Sequence, residues 1–195
     1  TPRGEGNFNF TMNFNGPRLC PYFPAGFNTT ECGRSFVIGL EYPALLVQVL
    51  TGLNIDSSRS SSIVTDASTK SKEWAAAATA IRDAVNPHLR AIAAMARAAE
   101  AEQEVACSNS SKAEALDGIF RFAGVDSSPA PSKSTDSMCR VVELLGVDHF
   151  GASGTIEACA FLTRIFKSLG DGIVPLVGFS GLMFAALEDE GLAAA

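Results

Sequence analysis

The sequence predicts an all-α fold, a helical bundle of about five to seven helices carrying an extended, non-helical N-terminal arm. Three observations predict it. Trp74, Ala78, Ile81, Val85, Leu89, Ile92, Met95 and Ala99 recur at steps of three and four on an alanine-rich background, the repeat of a helix that presses one face against a neighbour. Segments with a similar repeat follow it, several closed by a glycine. Hydrophobic residues make up 47% of the chain and charged ones 18%, a surplus that a core or a partner must bury.

The elements follow in order. Residues 1–35 form the arm and a cysteine-bracketed loop, and residues 36–190 the bundle, read as a single domain. Asn7 to Asn15 alternates polar and apolar side chains, which puts Phe8, Phe10, Met12 and Phe14 on one face of a strand. A lone strand needs a surface or an edge, so this interaction arm covers either its own bundle or a neighbouring subunit. Cys20 and Cys32 bracket Pro21, Pro24 and Gly26, a turn-rich loop that a local disulfide would stabilise by roughly 3 kcal/mol.

From Pro43 to Leu50 the only polar side chain is Gln48, and Gly52 supplies a stop, which predicts a helix in the middle of the bundle. Ser57 to Ser62 is a linker. The alanine-rich helix opens between Ser68 and Ser71 and closes near Cys107, with a kink or tight break at Asn86-Pro87, where the proline lacks an amide donor. Ser111-Lys112-Ala113-Glu114 has the capping-box pattern and opens a short helix to about Phe122, with Gly124 as its stop. Ser127 to Thr135 reads as a solvated loop. A helix from Asp136 to Leu145 buries Met138, Val141, Val142 and Leu145, and one from Thr155 to Leu169 buries Ile156, Cys159, Leu162, Phe166 and Leu169. The last helix runs from near Pro175 to Glu188.

The apolar runs Val37–Leu53 and Ile173–Leu187 fall short of the ~20 residues that a membrane span needs, so both read as buried helices. A net charge of −6 with scattered basic residues argues against nucleic acid. The N-terminal Thr1-Pro2-Arg3-Gly4 is polar rather than the apolar core of a signal peptide.

Asn9, Asn28 and Asn109 each open a glycosylation triplet in a segment read as arm or loop. Five cysteines without Cys-x-x-Cys or Cys/His spacing suit disulfides better than metal. Beside Cys20–Cys32, Cys107 and Cys139 lie at predicted helix ends where a bridge would staple two helices, while Cys159, mid-helix, stays a buried free thiol. Gly178-Phe179-Ser180-Gly181 and Gly151-Ala152-Ser153-Gly154 lack the glycine two places after serine that a nucleophile elbow requires. His88 and His149 have no spaced partner.

With no catalytic, cofactor or metal constellation, the sequence points to a non-enzymatic secreted or cell-surface protein acting through protein–protein contacts, an organellar location being the alternative. Two further functions stand beside it: a structural subunit of a filament, coat or organellar complex, and a bundle holding an apolar ligand between helices 43–50 and 175–187. A protein partner or self-assembly is expected in the first two.

Overall fold

The first element is a strand rather than a helix. In the computed structural model, which describes residues 34–55, 67–106, 119–130, 136–186 and 189–194, β1 (Ser35–Leu40) pairs in parallel with β2 (Arg121–Pro129). Ser35 faces Arg121, Ile38 faces Val125 and Leu40 faces Pro129, with irregularities after Phe36 and Gly39. A third extended stretch, 175–177, lies on β2 through a parallel bridge between Val125 and Leu176. Val125 N–H donates to the Pro175 carbonyl at 3.0 Å, and Val177 N–H to the Val125 carbonyl at 3.0 Å. The fold is therefore mixed α and β, which corrects the all-α expectation.

Parallel strands cannot be joined by a tight turn and need a long crossover. Here α1 (Pro43–Thr51) and α2 (Ala67–Ala106) span β1 to β2, and α3 (Met138–Glu143) and α4 (Thr155–Phe166) span β2 to the 175–177 stretch. Pro43 starts α1 where its missing N–H costs nothing, and Leu46 and Leu50 are fully buried. In α2 the buried stripe is Ala77, Ile81, Val85, Leu89, Ala93 and Ala96. Met95, two residues past Ala93 and so about 200° round the helix, is 64% exposed, and Ala99 is exposed as well. Pro87 lies inside α2, which runs unbroken through it.

α2 and α4 lie side by side and run in the same direction. Lys70 meets Glu157, Trp74 stacks on Phe161, Arg82 donates to the Ser168 hydroxyl at 3.1 Å, and the Asn86 side-chain oxygen accepts from Gly170 N–H at 3.1 Å. These hydrogen-bonded partners are 87, 86 and 84 residues apart, so the two helices keep nearly one register along the seam. The core contains Tyr42, Leu46, Ile81, Leu89, Val125, Val141, Leu162 and Phe166 in one cluster. Ile156 stands 85% exposed, because α4 buries Ala158, Phe161, Leu162, Ile165 and Phe166, a face turned away from it.

Three further expectations are corrected. Arg121 and Phe122 belong to β2 rather than to a helix opening at Ser111, and 127–129 continue that strand. Residues 175–186 form extended and turn structure rather than a helix, with Gly178 at φ 67° and Ser180 at φ 43°. The chain then closes on α5 (Glu190–Ala194). Buried Asp189 accepts from the Ser137 hydroxyl and from Met138 N–H at 2.9 Å, which ties this end to the start of α3. Among the described residues no helix is long and apolar enough to cross a membrane.

Candidate functional site

The carboxyl end of β2 reads Asp126-Ser127-Ser128-Pro129, a polar run buried where the sequence suggests a solvated loop. Asp126 is 0% exposed. One carboxylate oxygen accepts from Ser128 N–H at 2.9 Å, the Ser128 hydroxyl at 2.6 Å and Ser180 N–H at 3.0 Å, and the other accepts from Phe179 N–H at 3.1 Å. A buried carboxylate is tolerated only when its lone pairs are filled in this way.

The hydroxyls extend the clamp. Ser127 N–H donates to the Ser180 hydroxyl oxygen at 3.2 Å, whose own proton goes to the Val177 carbonyl at 2.8 Å. Gly181 N–H donates to the Ser128 oxygen at 3.2 Å, and the Ser127 hydroxyl donates to the Phe166 carbonyl at 2.7 Å. Together these bonds hold the 178–181 turn in register with the end of β2 and keep Ser180 in the left-handed region that non-glycine residues rarely adopt.

Tyr42, just past β1, closes the cluster by donating to the Ser127 carbonyl at 2.6 Å. Burial, and then the charge of Asp126, raise its phenol well above the usual value, so the group stays protonated and acts as a donor. The cluster is a preorganised wall rather than a nucleophilic centre. The Ser127 and Ser180 protons are committed to carbonyls, and both histidines are exposed elsewhere, His149 at 3.1 Å from Asp148. At the same end of the strands, exposed Glu41 follows Leu40, and the Leu40 carbonyl accepts from Ala130 N–H at 3.0 Å. The Glu41 carboxylate has no partner among the described residues.

Of the residues singled out from sequence, Asn9, Asn28, Asn109, Cys20, Cys32, Cys107 and the arm residues Phe8, Phe10, Met12 and Phe14 lie outside the described residues. Cys139 is buried in α3 with a free thiol, which corrects the Cys107–Cys139 staple. Cys159 is also free and half-buried, and burial pushes both thiols up from their ordinary value. Sequence reasoning missed Tyr42, Asp126, Ser127 and Ser128. Their signal is an apolar strand core, Phe122 to Val125, running straight into turn-forming polar residues.

Residues 1–195 match a family model described as Uncharacterised ACR (DUF711). A UPF0210 protein of Clostridium acetobutylicum is 40% identical over 76 residues, covering 38% of this chain and 17% of the relative. The matched stretch thus spans about a sixth of that relative's length. No solved structure matches the chain. The family match overturns the secreted or cell-surface contact protein, with its structural-subunit and apolar-ligand alternatives, and the glycoprotein and disulfide readings attached to it. Acceptor triplets are three residues long and arise by chance in segments rich in Asn, Ser and Thr, and a cysteine count without a pairing is equally short of information.

Proposed function

Because the chain belongs to the DUF711 family and shares only a short stretch with a far longer bacterial relative, we propose that it works within a larger protein as a small-molecule-binding α/β unit. The ligand sits at the carboxyl ends of β1 and β2. Open parallel sheets bind ligands outside the carboxyl ends of their strands, where loops from successive crossovers converge. One observation carries the reading: Asp126 ties the strained Ser180 turn to the end of β2, accepting two hydrogen bonds from the turn, at Phe179 and Ser180, and two from Ser128. Strain of this kind persists only where surrounding bonds over-determine it, and it clusters at functional sites.

Glu41 is the contact group in this reading. It is exposed, directly follows β1 and carries a carboxylate unpartnered among the described residues, so it accepts from an amine or hydroxyl of the ligand. The test is an amide chemical-shift titration of the chain with small amines, amino alcohols and sugars. A binder of this class shifts Glu41, Ala130 and Gly181 together, and Glu41→Gln weakens it by about tenfold. Shifts confined to other parts of the chain, or equal binding by Glu41→Gln, would overturn the proposal.

A further inference from the structure

A groove of about 380 Å³, open to solvent, lies where α2 and α4 begin to run together, and its lining shares no residue with the strand-end cluster. Its lining includes Lys70, Ser71, Trp74, Glu157, Phe161 and Arg164. The floor is rigid. The Trp74 and Phe161 rings lie 4.7 Å apart at 38°, and the indole N–H donates to the Leu145 carbonyl at 3.0 Å. Lys70 reaches over the indole, its ammonium 5.0 Å from the ring centroid.

The charges in the groove are unevenly matched. Lys70 pairs with Glu157 at 3.5 Å, and the two side chains are 41% and 72% exposed. That spacing is longer than a tight charge-assisted bond, and water screens a pair so exposed. The exposed Arg164 guanidinium has no partner among the described residues. Two cations therefore face one carboxylate, in a chain whose net charge is −6. A planar guanidinium matches carboxylate and phosphate geometry with two parallel N–H donors, while an aromatic wall favours a flat organic body. The volume falls within the range of small-molecule pockets.

We propose that this groove binds a small planar organic anion, its acidic group held by Arg164 and Lys70 and its body lying against the Trp74–Phe161 wall. The site is separate from the one at the strand ends, so either stands or falls without the other. Trp74 is the only tryptophan in the chain, so its emission reports on this groove alone. The experiment titrates the full chain with benzoate and phenyl phosphate, with benzamide as the uncharged counterpart. At least one anion is expected to change Trp74 emission saturably at millimolar concentration or below, with binding weakened about tenfold by Arg164→Gln and also by added salt. Arg164 is exposed, so that variant keeps its fold, and far-ultraviolet circular dichroism verifies this. Benzamide binding as tightly as the anions, unchanged binding by Arg164→Gln, or no saturable change with either anion up to about 10 mM overturns the proposal.

Discussion

The Tyr42 hydroxyl donates a 2.6 Å hydrogen bond to the Ser127 carbonyl across 85 residues of chain, joining the end of β1 to the end of β2 inside the core. Its protonation state matters to stability, because the folded chain holds the phenol well above the ~10 of an unfolded tyrosine. The protonated form is favoured by folding, so this contribution is fully present below about pH 10 and is lost as pH rises from there towards the folded value. Tyr42→Phe is expected to cost about 1 kcal/mol at pH 7, the worth of one buried hydrogen bond, and to flatten the alkaline loss. Urea unfolding at pH 7 and above pH 10 checks both; a variant as sensitive to alkali as the parent would assign that loss to other groups.

Asp126 accepts four hydrogen bonds through two oxygens, so an amide in its place must turn an NH2 towards at least one donor. Asp126→Asn is expected to destabilise by about 2–4 kcal/mol and to release the Ser180 turn. Hydrogen exchange at Phe179, Ser180 and Gly181 is the readout. Protection there equal to that of the parent chain would show that the backbone holds the turn without the carboxylate.

Gly124 sits in β2 at φ 145°, where a Cβ would overlap the Pro175 carbonyl oxygen and crowd a Val177 methyl at 2.9 Å. The glycine is what lets the 175–177 stretch approach the strand. Gly124→Ala is expected to cost on the order of 3 kcal/mol, from strained backbone and displacement of that stretch together. Thermal unfolding gives the magnitude, and loss of Val177 amide protection gives the location. A melting temperature within one degree or so of the parent would mean that the bridge is dispensable.

Cys139 and Cys159 are free thiols whose pKa values burial raises, so both are poor nucleophiles at neutral pH. Alkylation of the native chain at pH 7.5, followed by peptide mass mapping, is expected to label half-buried Cys159 before buried Cys139. Labelling of both speeds up when urea unfolds the chain. A bridge at either position, or Cys139 reacting first, contradicts this arrangement.

Helices were legible in the sequence where a buried face recurs with the helical period. Pro43 and Gly52 bound α1 as expected, the α2 stripe from Ala77 to Ala96 continues through Pro87, and Met138, Val141, Val142 and Leu145 are buried as their spacing implies. The strands were not legible. β1 is only partly buried, and its adjacent apolar residues Phe36, Val37 and Ile38 show no two-residue alternation, so Phe36 to Leu40 merges with the apolar run of α1. β2 carries Gly124, Asp126, Ser127 and Ser128, residues whose local preference is for turns, and only contacts from residues 42, 166 and 177–181 turn them into a buried strand end. The same contacts make the clamp. No local pattern in Asp-Ser-Ser announces that its acceptors will be filled by amides more than fifty residues away.

The crossover from β1 to β2 also sets the order in which this chain can assemble. Every rung of the two-stranded ladder joins residues separated by the whole of α1 and α2, and α2 alone, at 40 residues, is a rod of roughly 60 Å. Closing so long a loop costs entropy before any rung is made, and folds dominated by such distant pairings fold slowly. Helices, whose bonds are local, form in a microsecond or less. The helices therefore come first, while the α2–α4 seam and the β1–β2 ladder, whose partners lie about equally far apart in sequence, both wait on closure of a long loop, so β1 passes through a period on the folding pathway with its backbone groups unpaired with β2.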